Sequence, residues 1–176
     1  TPPPPPRTTL RLTRRQRQMC IRDSADAEDI FELRAMLEAF AAERAAANAN
    51  DEQLQRLREL AERQYAEAQT RSPGFLERIA DLNSRFHQLL QDAADSKRLS
   101  ILLATLTEAP LVLQTFRDYS TEDLLRSSQH HLDIVDALGA RDGSWAATIM
   151  RTHVLAARRN YRRHQRRRSG ETSDAA

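Results

Sequence analysis

The chain has 176 residues, of which 27 are basic, 25 are acidic and 40 % are apolar, with a single cysteine. This length is enough for one domain with a full hydrophobic core, and the lack of a long apolar run excludes a membrane-spanning helix. Cys20 has no second cysteine with which to form a disulfide, and no apolar signal-peptide region is present. These features favour a cytoplasmic protein.

The charges are distributed unevenly along the chain. Residues 25–157 carry 22 acidic and 14 basic side chains, a net charge of −8, whereas the two flanking segments are strongly basic. An acidic body is a poor surface for binding nucleic acid. Residues 1–24 contain a polyproline run and an arginine-rich stretch, and we predict a disordered tail that is not native sequence; an ordinary basic arm is the alternative. Residues 161–176 are predicted to be a disordered basic tail.

Helical periodicity dominates the chain from Asp26 onwards, and no strand-like alternation appears. The first helix is predicted over 26–49, with one buried stripe formed by Ile30, Leu33, Leu37, Phe40 and Ala41. Later helices are predicted to begin at Asp51, around Pro73, at 95–96, at Ser120 and after Asp142, and Pro110 is expected to kink the fourth. The predicted fold is therefore all-α, an antiparallel bundle of six to seven helices.

Four polar residues lie on these otherwise apolar stripes: Asn83, His87, His131 and His153. Asn83 and His87 are four residues apart and share one helix face. His131 precedes the turn at Gly139 and His153 follows it by roughly 12 and 16 Å of helix, so an antiparallel hairpin brings both to a similar level. A single inward histidine is more often a satisfied core residue, but three that can meet beside an amide oxygen predict a metal site. His130, by contrast, lies on a polar stripe with Asp123 and is expected to face solvent.

Several motifs resemble the FadR-type C-terminal domain of the GntR superfamily of bacterial transcriptional regulators. Residues 29–34 (DIFELR) resemble its opening helix, and residues 83–87 (NSRFH) its D/N-x-x-F-H motif. Residues 131–138 and 142–153 resemble the two later segments that each carry a histidine. The resemblance covers residues 25–160 and implies a helical bundle around a central metal or effector cavity, commonly with a divalent metal held by one carboxylate and three histidines.

Carried over by motif, the metal ligands are Asn83, His87, His131 and His153, with zinc or nickel as the expected metal. Asn83 departs from the usual carboxylate, so the metal keeps its full positive charge and favours an anionic effector, a small organic acid. The resemblance also implies that Arg34 points inward and binds the effector carboxylate; a surface pair with Glu38 is the alternative.

The resemblance implies the regulatory half of a transcription factor that forms homodimers and contacts DNA only through a missing N-terminal winged-helix domain. We therefore expect no catalysis and no membrane contact. Two other functions stay open. A three-histidine metal can activate water in a metalloenzyme, although no carboxylate is clearly placed as a general base. The second alternative function is a metal-free helical interaction domain whose histidines are ordinary core residues.

Overall fold

The computed structural model describes residues 14–106, 116–117 and 119–169, and side chains between 27 and 167 within those ranges. The described residues form six helices: α1 Arg14–Asn48, α2 Asp51–Thr70, α3 Phe75–Ala93, α4 Lys97–Leu106, α5 Thr121–Gly139 and α6 Gly143–Ser169. No strand occurs in these residues, which confirms the all-α prediction. Pro110 lies outside the described residues.

Side-chain caps fix where several of these helices begin. Asn50 and Gln53 form a reciprocal capping box at the start of α2, and Ser120 and Asp123 form another at the start of α5. Such boxes satisfy backbone N–H groups that the first helical turn leaves unpaired. Gly74 is the N-cap residue of α3, with a φ of +77°, so the helix that was predicted to begin around Pro73 begins two residues after it, at Phe75. The α5–α6 turn is short and makes these helices antiparallel neighbours.

The first helix packs mainly against the last. Its inner face is rich in alanine, including the fully buried Ala35, Ala42 and Ala45. Small side chains let two helices approach closely, and a Cβ added to Gly143 would lie 3.0 Å from the carbonyl oxygen of Glu43 on α1. Phe31 packs beside Tyr161 of α6, with ring centroids 5.6 Å apart.

The predicted buried stripe of α1 was only partly right: its alanine is fully buried, but two of its large side chains face outward. Leu33 and Phe40 are about half exposed, whereas Phe31 and Glu38 are buried. The physical reason is the close contact with α6, which selects the alanine face of α1 and turns its larger side chains outward. This rotation carries the charged residues Arg34 and Glu38 into the interior.

Both ends of the bundle are helical further than the sequence predicts. Helix α1 begins at Arg14, and α6 continues to Ser169 where a disordered tail was expected from residue 161. Ion pairs between Glu32 and Arg158 and between Glu28 and Arg162 join the two helices, and Tyr161 is buried. These contacts explain the extension of α6, because the basic side chains pair with acidic residues of α1. None of the described helices has the length and apolar character needed to cross a bilayer.

Candidate metal centre

Three histidines from three helices meet in the interior of the bundle. His87 comes from α3, His131 from α5 and His153 from α6, and one potential ligand atom from each lies within 4.8 Å of the other two. The ring centroids are 4.6 to 5.3 Å apart. His131 is fully buried and the other two are 7 % exposed. The structure thus brings together the three histidines that the helical stripes indicated.

Two of the rings contact a neighbour that orients them. His131 Nδ1 lies 2.8 Å from Gln64 Oε1, a hydrogen bond that requires the proton to be on Nδ1. His87 Nδ1 lies 2.6 Å from Glu38 Oε2, close enough for a charge interaction although not aligned for a conventional hydrogen bond. Metal-bound histidines in proteins commonly have such a carboxylate or amide partner on the second ring nitrogen.

The remaining ring nitrogens are the unusual feature of this cluster. His87 Nε2, His131 Nε2 and His153 Nδ1 are buried and have no hydrogen-bond partner among the described residues. A buried polar atom without a partner costs roughly 1–3 kcal/mol, so native structures contain few of them. Three nitrogen donors close together fit the preference of zinc and related transition metals for imidazole.

Burial also sets the protonation state of the cluster. Desolvation, helped by the neighbouring imidazoles, holds the pKa values of His131 and His153 well below the usual range. Burial alone raises the pKa of Glu38, but the charge of Arg34 and the contacts with Arg34 and His87 outweigh it and hold that pKa well below its usual value. His131 and His153 are therefore neutral and have lone pairs available near neutral pH, while Glu38 is ionised.

The two other predicted site residues are both buried in the interior of the bundle. Asn83 is buried on α3, one helical turn before His87, as its position on the stripe indicated. Arg34 is also buried, and its Nε donates a 2.8 Å hydrogen bond to Glu38 Oε1. The i,i+4 pair of Arg34 and Glu38 therefore exists, but it lies in the interior and not on the surface.

Three residues near the cluster were missed by the sequence analysis. Glu38 was missed because the wrong face of α1 was predicted to be buried, and Gln64 because a lone glutamine on an apolar stripe has no distinctive spacing. His130 was expected to face solvent; it is half-buried, and its ring centroid lies 5.9 Å from that of His153. Asp123, expected on the same polar face, is also buried.

Together, the fold and the site define a helical bundle with a buried, nitrogen-rich cluster at its centre. The family model of the FCD domain matches residues 29–156, and the chain belongs to this family. No curated protein sequence matches the chain.

Solved structures of GntR regulators share this architecture. GntR of Streptococcus agalactiae is 26 % identical with a TM-score of 0.60, and the match covers 76 % of this chain and 58 % of that one. McbR/YncC of E. coli is 17 % identical with a TM-score of 0.60, covering 89 % of this chain and 67 % of that one, a level that shows the shared fold alone. The chain thus spans somewhat more than half the length of the streptococcal protein.

Proposed function

We propose that this chain is the effector-sensing part of a cytoplasmic transcriptional regulator of the GntR superfamily, and that it binds a small carboxylate next to a divalent metal. The observation that carries the proposal is the set of three buried ring nitrogens that lack a partner on three neighbouring histidines. In this proposal DNA binding belongs to another part of the regulator, and the domain itself catalyses no reaction.

The proposed metal ligands are His87, His131 and His153, with the amide oxygen of Asn83 as the fourth. Zinc or nickel suits three imidazoles, and the bound metal supplies a positive charge with open coordination positions. Glu38 and Gln64 orient two of these ligands. Glu38 contacts Nδ1 of His87 and Gln64 contacts Nδ1 of His131, which leaves Nε2 of each ring for the metal.

The charge balance of the site supports an anionic effector. The proposed ligands are all neutral, and the negative charge of Glu38 is offset by the adjacent Arg34. The site therefore keeps the charge of the metal in a buried environment, where an anion is strongly favoured. Arg34 is the second candidate contact for the effector, because a guanidinium can bind a carboxylate through two parallel hydrogen bonds.

The test is the substitution Asn83→Asp, followed by calorimetry with zinc and with short mono- and dicarboxylates. A charged oxygen should tighten zinc binding, and the lower net charge should weaken carboxylate binding to the zinc-loaded protein. The corresponding uncharged amides are the control ligands, and they should bind neither the wild-type protein nor Asn83→Asp. Unchanged affinities for both zinc and carboxylates would exclude Asn83 as a ligand, and a wild-type protein that binds no divalent metal would refute the proposal.

We also propose that the domain forms homodimers through the outer faces of α1 and α4. Large apolar side chains are about half exposed on both helices: Leu33, Met36 and Phe40 on α1, and Ile101 and Leu102 on α4. Exposed apolar clusters of this kind are typical of protein interfaces. Analytical ultracentrifugation should show a dimer that Met36→Glu weakens, whereas a wild-type monomer at tens of micromolar would contradict this part of the proposal.

A further inference from the structure

A fourth histidine lies beside the buried cluster but is not part of it. His130 precedes His131 on α5, so the two rings leave the helix about 100° apart and only His131 points to the centre. The ring of His130 lies near that of His153, with centroids 5.9 Å apart in an edge-on arrangement. His153 in turn lies 4.6 Å from His131, so the imidazoles form a short series that leads inward.

The exposure of the rings increases along this series. His131 is fully buried and His153 is nearly so, whereas His130 is half-buried. One ring nitrogen of His130, Nδ1, is itself buried and has no hydrogen-bond partner among the described residues. His130 therefore combines an exposed edge with an interior donor atom that resembles the donor atoms of the central cluster.

The charges around His130 favour a cation. Asp133 lies one turn further along α5, and its carboxylate acts on the His130 ring electrostatically. Arg126 has the opposite effect, but its guanidinium is paired with Asp123 and lies 3.5 Å from Glu122. An incoming metal ion thus meets a negative side chain and a nitrogen donor at the edge of the site.

We propose that His130 is a transfer ligand, which first binds an incoming divalent ion at the edge of the site and passes it to His153. This inference rests on the metal site proposed above. His130 would hold the ion first, in place of one water of its hydration shell, and His153 would then replace His130, so that one ligand is exchanged for another each time. Because His130 is not a ligand in the final site, it changes the rates of metal uptake and release and leaves the equilibrium affinity unchanged.

The test measures zinc exchange with metal-free protein by stopped flow, using a chromophoric chelator to report free zinc. His130→Ala should slow both uptake and release by about tenfold, the effect expected for loss of one modest contact in the rate-limiting step. His130→Asp, which restores a metal-binding oxygen, should recover much of the rate. His164→Ala removes another histidine of α6, about three turns beyond His153, and should exchange zinc like the wild type.

Two results would overturn the transfer role. Unchanged rates in His130→Ala, in a protein whose circular dichroism matches the wild type, would show that metal enters by another route. A zinc affinity at least tenfold weaker in this variant would instead make His130 a permanent ligand. The wild-type titration separates these results from failure of the proposed metal site, since a protein without a site takes up no zinc at all.

Discussion

Two buried polar clusters join α5 to other helices, and they differ in how their polar atoms are satisfied. Around Asp123, both carboxylate oxygens have partners: one contacts Arg126, and the other contacts Ser120 and Arg163. Around His131, each of the three clustered histidines has at least one buried ring nitrogen with no hydrogen-bond partner in the described part of the chain. The first cluster is completed by the chain itself, while the second has the arrangement expected of a site that an added ligand completes.

The largest expected difference between the clusters is their response to metal. A ligand that binds only the folded state at a thousand times its dissociation constant stabilises it by about 4 kcal/mol, which is roughly 10 °C in melting temperature for a domain of this size. Excess zinc should therefore raise the melting temperature of the wild-type protein and not that of His131→Ala. Differential scanning fluorimetry with zinc and with EDTA gives both shifts.

The matched control for this prediction comes from the other cluster. Asp123→Ala should lower the melting temperature and still show the full zinc shift, because Asp123 is not part of the histidine cluster. His164→Ala should also keep the shift. An equal shift in melting temperature in the wild type and in His131→Ala would mean that zinc binds elsewhere. It would contradict the proposal that the histidine cluster is the metal site.

A smaller effect is expected from Glu38, which contacts His87 without being a proposed ligand. Glu38→Gln removes the negative charge behind the His87 ring, and loss of such an outer partner typically weakens metal binding by about 10- to 100-fold. Competition against a chelator of known affinity measures the change. Asp29→Asn, an exposed site on the same helix, is the control. An unchanged affinity in Glu38→Gln would show that the contact with His87 serves stability alone.

The next prediction concerns folding stability and not metal binding, at the cluster around Asp123. Asp123→Ala removes the side-chain half of the α5 capping box and the buried partner of two arginines whose side chains are themselves nearly half exposed. Because these arginines can return to solvent, we expect a loss of only about 2 kcal/mol in the free energy of unfolding. Urea denaturation should give the same loss with EDTA as with zinc.

The same residue should contribute to acid unfolding. Burial alone raises the pKa of Asp123, but hydrogen bonds from Ser120 and Arg163 outweigh it and hold that pKa below its usual value. A carboxyl with a lowered pKa in the folded state stabilises the protein above about pH 4, its unfolded value, and this contribution is lost as pH falls through the folded value. The stability gap between wild type and Asp123→Asn should therefore narrow below pH 4; a constant gap would contradict this linkage.

The histidine cluster was predictable because its signal is local. A polar residue on an apolar helical stripe can be predicted from the sequence alone to face the interior. The short α5–α6 turn then places His131 and His153 at similar levels along the two helices. The environment of Arg34 and Glu38 was not predictable in this way. The face of α1 that carries Leu33 and Phe40 is more hydrophobic than its alanine face, so the sequence favours burial of the first. The close contact with α6 determines that the alanine face is buried.

The pairing of the first helix with the last also affects the order in which this chain can fold. Glu28 and Arg162 are 134 residues apart in sequence, so the alanine face of α1 leaves the ribosome long before its partner exists. His87 and His131 are also synthesised before His153. The complete three-histidine cluster can therefore form only after α6 has been synthesised, late in the folding of the domain.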